Sequence, residues 1–168
     1  MGSCSQLIRA ACLGLALSFA AHLGAAEQNA PVACDDARVL VKGGFGEIRF
    51  NVEIADTDAE RGRGLMMVES MAPSAGMLFV FDAPGPRTFW MKNTLIPLDM
   101  IFVRKSGEIA KIHANAVPHD VTGIHGGDDI FAVLEINGGL AARFGMKAGD
   151  LLAHPAFSGG PAILPCIE

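Results

Sequence analysis

Glu47-Ile48-Arg49-Phe50-Asn51-Val52-Glu53-Ile54 alternates polar and apolar residues without a break. Successive side chains of a strand point to opposite faces. Ile48, Phe50, Val52 and Ile54 therefore face a core, while Glu47, Arg49, Asn51 and Glu53 face water, and the run predicts a half-buried β-strand. Upstream, Arg38-Val-Leu-Val-Lys42 is a second short strand, stopped by Gly43-Gly44. Downstream, Thr57 with Glu60 three residues on has the capping-box pattern and opens a short helix, which Gly62 and Gly64 limit. Apolar runs bounded by turn residues place further strands at residues 77–81, 87–93, 99–103, 108–114, 130–136 and 151–154. Residues 82–86 form a turn, residues 115–129 a long loop, and residues 140–144 one helical turn. The pattern describes an all-β fold with one or two short helices, a compact β-sandwich or closed barrel of about seven to eight short strands.

Residues 86–103 hold the only Trp of the chain, Trp90, and set Lys92, Asn93 and Asp99 among large apolar side chains. Polar groups buried without partners cost on the order of 1–3 kcal/mol each, so these residues pair with one another or meet a ligand. In the binding reading, Lys92, Asn93 and Asp99 beside Trp90 hold a small polar ligand. In the catalytic reading, Lys92 and Asp99 act as an acid–base pair. In the structural reading, they form an ion pair and Asn93 ties a turn. Arg61 or Arg63 either clamps an anionic group or faces water at the helix end.

The chain of 168 residues carries a net charge of −5 and only 18% charged residues. That suits one domain with a core and argues against disorder. A mildly acidic chain with no Lys/Arg cluster excludes nucleic acid as an expected partner. Arg9, the apolar residues 10–21 and Gly24-Ala25-Ala26 read as a signal peptide over residues 1–26. The expected order is that signal, a flexible lead-in at 27–37, a β domain at 38–156 and an irregular tail at 157–168. The mature chain is then exported, periplasmic in a host with an outer membrane, and has no membrane span. Cys34 and Cys166 remain after signal removal; in an oxidising compartment they either form a disulfide or sit as unrelated thiols in two tails.

Four stretches stand in order: Arg61-Gly-Arg-Gly-Leu-Met66, Gly76-Met-Leu-Phe-Val-Phe81, Phe89-Trp-Met-Lys-Asn-Thr94 with Ile96-Pro-Leu-Asp-Met-Ile-Phe102, and Val133-Leu-Glu-Ile-Asn-Gly-Gly139 followed by Gly149-Asp150. Together they resemble the widespread prokaryotic family catalogued as domain of unknown function 192, over roughly residues 47–152. The resemblance implies a compact β-sandwich or barrel, often exported, and brings no activity with it. Gly62-Arg63 is an insertion or duplication before Gly64-Leu65-Met66, so either Arg61 or Arg63 takes the family's arginine position.

Two metal readings arise from the residues. Met66, Met67 and Met91 are the donors of a copper alternative, since thioethers suit Cu(I); as gap-fillers in a core they need no metal. His113, His119 and His125 recur with Asp120, Asp128 and Asp129 nearby, but their six-residue spacing fixes no face, and an exposed loop is the expectation. No cofactor is expected. The chain is read as a non-catalytic module for a small ligand or an envelope protein, using Arg61, Arg63, Trp90, Lys92, Asn93 and Asp99.

Overall fold

The computed structural model describes residues 30–167, so the expected signal peptide lies outside the described residues. In chain order the strands are β1 (Val32–Ala33), β2 (Arg38–Gly43), β3 (Gly46–Ala55), β4 (Ala75–Phe89), β5 (Leu98–Val103), β6 (Ile109–Ala116), β7 (Ile124–Asn137), β8 (Leu151–Ala153) and β9 (Cys166–Ile167). Two short helices, α1 (Asp58–Arg63) and α2 (Leu140–Phe144), complete the set with a 3-10 turn at Pro155–Phe157. The fold is all-β. One seven-stranded sheet, ordered β6-β5-β7-β4-β3-β2-β8, curls into a half-barrel. Its outer strands meet at one end, where Leu152 N–H donates to Gly107 C=O (2.7 Å) and Ile109 N–H to Asp150 C=O (2.8 Å). A single curled sheet thus replaces the two stacked sheets of a sandwich.

Every pairing within this seven-stranded sheet is antiparallel except β3–β4. A parallel pair needs a crossover, and this one carries α1 and residues 64–74 over the outside of the sheet. The sheet is consequently buried on both faces. Val39, Phe50, Leu78, Ile101, Leu134 and Ile136 come from strands all round the curl and fill its inside. Met77, Phe79, Met100, Phe102 and Val133 point the other way and pack beneath Leu65 and Met91. Double burial explains why all six residues of β5 are buried and why residues 130–136 of β7 form a continuous buried run.

Two expectations are corrected. First, the strands expected at 77–81 and 87–93 are one strand, β4, whose pairing with β7 is interrupted by register slips between Val80 and Gly85 and between Gly85 and Arg87. Pro84 and Pro86 fall in that interruption, where a missing N–H removes no ladder bond. The strand ends at Phe89, so the alternation expected through Asn93 fails: Met91 is buried and Asn93 is exposed with φ 55°. Second, the loop expected at 115–129 shrinks to residues 117–123. Gly126 lies inside β7, where a Cβ would sit 1.9 Å from the Phe102 ring. That glycine marks a close approach between a strand and a ring, not a loop.

Of the two readings of Cys34 and Cys166, the structure has the disulfide, which ties the described part of the lead-in to the tail. β1 pairs in parallel with β9, and Cys34 bonds Cys166, with Cα atoms 5.4 Å apart and a sequence separation of 132. Closing so long a loop restricts the unfolded chain, and replacing both cysteines by serine is expected to lower stability by about 2–5 kcal/mol. Urea unfolding of the oxidised chain against the double variant checks this; a change under about 1 kcal/mol contradicts it.

Candidate functional site

Two segments lie over the outer face of β4, β7 and β5. The first begins with α1. Thr57 caps it: the Thr57 hydroxyl accepts from Glu60 N–H (3.2 Å) while the Glu60 carboxylate accepts from Thr57 N–H (3.0 Å). The helix stops at Gly64, whose φ of 49° is left-handed. A Cβ there would also lie 3.1 Å from the Phe79 ring, so the chain passes this close only as glycine. The second segment is Trp90–Thr94, which has left the sheet. Its turn is closed by Thr94 N–H on Met91 C=O (3.1 Å) and anchored by Met91 N–H on Asp120 C=O (2.8 Å). The segments join through a bridge between Met66 and Thr94 and through Met67 N–H on Asn93 C=O (2.8 Å).

Between them and the sheet is a pocket of about 250 Å³. Phe79, Phe89, Leu65 and Trp90 line it, and Phe79 meets Phe89 edge-to-face at 5.0 Å. Glu135 of β7 also lines it, flanked across the sheet by Met77 of β4 and Met100 of β5. Glu135 is only 4% exposed. Among the described residues no hydrogen bond or ion pair reaches its carboxyl. Burial alone pushes its pKa up, to about 8, because nothing nearby stabilises the charge. An unpaired carboxyl at such depth is costly for a fold, and sites of that kind cluster where a protein binds or reacts. The sequence reading passed over Glu135. Its signal is present, as the one acidic residue in the apolar run Ile130-Phe-Ala-Val-Leu-Glu-Ile136.

Four of the expected site residues converge on this pocket: Arg61, Arg63, Trp90 and Lys92. Arg61 is already bound. Its guanidinium donates to Asp58 (2.6 Å), to Val80 C=O (2.8 Å) and to Asp56 C=O, fastening α1 to β4. Arg63 and Lys92 are exposed, and among the described residues their side chains make no hydrogen bond or ion pair. The Lys92 ammonium lies 5.4 Å from the centre of the Trp90 ring. Arg87, missed from sequence, stacks its guanidinium 3.9 Å from the Phe81 ring, with Arg61 at 5.3 Å. Burial, and then the neighbouring Arg61 charge, hold the Arg87 pKa below its ordinary value.

Asp99 and Asn93 belong elsewhere. Asp99 is fully buried and accepts from the backbone N–H of Asn115 (2.8 Å), Gly139 (2.9 Å) and Ala141 (2.7 Å). It organises the start of α2 and the end of β6, forms no ion pair with Lys92, and does not line the pocket. The acid–base pair of Lys92 with Asp99 is therefore not assembled. Asn93 supplies the left-handed turn position, and its amide lies 4.0 Å from the Met66 sulfur.

The copper alternative is not brought together either. Met66 lines the pocket, Met67 is 68% exposed, and Met91 is buried in the outer core. Among the described residues no three His, Cys, Asp or Glu side chains are grouped as a metal site. His113 and His125 border an open groove with Lys111 and Asp120. A larger groove of about 790 Å³ lies under the β3–β4 crossover, but none of the buried polar side chains lines it. No helix among the described residues is long and apolar enough to cross a membrane.

No curated protein matches the chain. Two solved structures are similar to it over almost their whole length. One is a protein of unknown function from Novosphingobium aromaticivorans, 42% identical, covering 80% of this chain and 99% of its own, with a TM-score of 0.68. The other is described as a putative transcription regulator from Sinorhizobium meliloti, 40% identical, covering 74% of this chain and 98% of its own, with a TM-score of 0.70. The model of the family DUF192, described as an uncharacterized ACR, matches residues 40–154, which run from within β2 through β8 and include every residue of the pocket. The chain belongs to the DUF192 family.

Proposed function

We propose that the chain is a non-catalytic, exported module that holds a small molecule over Glu135. The observation that carries this reading is the Glu135 side chain, only 4% exposed, part of the pocket wall and without a hydrogen bond or ion pair among the described residues. A partner that enters from outside offsets the burial of such a group in the bound state. Pockets for drug-sized ligands run to about 300–1,000 Å³, so one of about 250 Å³ suits a metabolite-sized molecule. The Cys34–Cys166 bond supports export, since disulfides persist in oxidising compartments.

A second reading has one observation in its favour. A carboxyl that titrates near neutral pH suits proton transfer, and Glu135 has that property. Asp99 is not beside Lys92 to complete an acid–base pair, and the pocket wall includes no Ser, Cys or His nucleophile. Binding is therefore preferred.

Native mass spectrometry of the chain isolated from its own cells tests the binding reading. The expected result is an added mass that leaves on denaturation and is reduced in a folded Glu135→Met variant. A bare chain whose Trp90 emission is also unmoved by any fraction of a small-molecule extract overturns it.

A further inference from the structure

We infer that the molecule held in the pocket is a small zwitterion, with its ammonium end against Glu135 and its anionic end at Arg63 and Lys92. This rests on the binding reading above and adds the chemistry of the occupant. The two ends of the pocket carry opposite demands. At depth, Glu135 is flanked by Met77 and Met100 and walled by Phe79 and Phe89. Among the described residues no counter-ion stands there, and desolvation alone governs the acidity of the carboxyl. Aromatic faces attract cations, so the walls favour the same end of a ligand that the carboxylate does. On the exposed side of the pocket, Arg63 and Lys92 offer positive charge that no hydrogen bond or ion pair among the described residues engages. A ligand that is only a cation would meet both of them on entry. A ligand that is only an anion would leave Glu135 unpaired. A molecule with both charges and a short apolar spacer answers all three groups.

The titratable groups that bear on Glu135 are few. Arg61 and Arg63 come from α1 and Lys92 from the segment after β4, while β4 and β5 set only methionines beside it. Pairing with an ammonium requires the ionised carboxylate, so binding near pH 7 releases one proton from Glu135.

The probes are 6-aminohexanoate, hexanoate and hexylamine, followed by Trp90 emission and by calorimetry in two buffers at pH 6, pH 7 and pH 9. We expect 6-aminohexanoate to bind at least about tenfold more tightly than either truncated probe. Its affinity should rise about tenfold from pH 6 to pH 7 and level off by pH 9, with about one proton released at pH 7. Glu135→Gln should remove the proton release and the advantage over hexanoate. Arg63→Ala with Lys92→Ala should remove the advantage over hexylamine. Binding of hexanoate or hexylamine as tight as that of 6-aminohexanoate overturns the zwitterion assignment and leaves the pocket reading standing. Binding by none of the three overturns the assignment, and if the natively isolated chain is also bare the binding reading falls with it.

Discussion

Replacing Glu135 by Met is expected to make the chain more stable at neutral pH and to flatten its stability between pH 5 and pH 8. The sign follows from proton linkage. The Glu135 pKa is raised from 4.5 to about 8 on folding. Below the unfolded value both states hold the proton, and burial of the carboxyl carries no ionisation penalty. Between the two values the unfolded chain gives up its proton while the native chain keeps it, so stability falls as pH rises. The loss is complete above the folded value. For a shift from 4.5 to about 8 it amounts to roughly 3 kcal/mol at pH 7 and roughly 5 kcal/mol above pH 8.

Met is near the same volume and joins Met77 and Met100 on this face. Urea unfolding at pH 5 and pH 8 checks the effect. The wild type should lose about 3–4 kcal/mol across that interval relative to Glu135→Met. Comparing the two chains cancels His154, whose pKa burial lowers. That group acts in the opposite sense, withdrawing stability as pH falls through the range just below its ordinary value. Equal pH slopes for the two chains would contradict the burial and isolation of Glu135. A gain in stability from losing a side chain marks a residue kept for function.

The second large effect is expected at Asp99. Asp99→Ala strips the acceptor from three backbone N–H groups at once and leaves a cavity between β5, β6 and α2. Hydrogen bonds to a charged acceptor contribute about 1.5–3 kcal/mol each, and donors left buried and unpaired raise the cost. The combined loss is expected to be about 4 kcal/mol or more, with Asp99→Asn intermediate because one acceptor oxygen survives. Urea unfolding at pH 7 measures both, and a loss below about 1 kcal/mol for Asp99→Ala would contradict this role. In the fraction that remains folded, the pocket should bind its probes as before, since Asp99 does not line it.

These two carboxylates show where sequence reading stops. Local pattern sufficed where local chemistry decides the outcome. The alternation at residues 47–54 became β3, and the Thr57–Glu60 spacing became a formed capping box. Arg61, Arg63, Trp90 and Lys92, singled out from the sequence, all line one pocket. Asp99 and Glu135 are decided by partners far away in sequence. Asp99 finds backbone donors 16 to 42 residues on, whereas Glu135 finds none, and nothing within five residues of either distinguishes the two cases. Glycines misled for the same reason. Gly126 falls within the stretch expected as a loop, yet it is glycine because Phe102, some 24 residues earlier, lies on top of it. The prolines of residues 82–86 signal an interruption of pairing, and only the register of β7 shows that one strand continues through it.

Ligand binding over Glu135 turns on the state of one carboxyl, and carbon-13 NMR of the side-chain carboxyl, assigned by its absence in Glu135→Gln, reads that state directly. The expected result is a titration midpoint near pH 8 in the empty pocket. Addition of 6-aminohexanoate should drive the signal to its ionised position at pH 7. A midpoint in the ordinary range of about 4–5 would show a solvated or paired carboxylate and contradict the pocket as described.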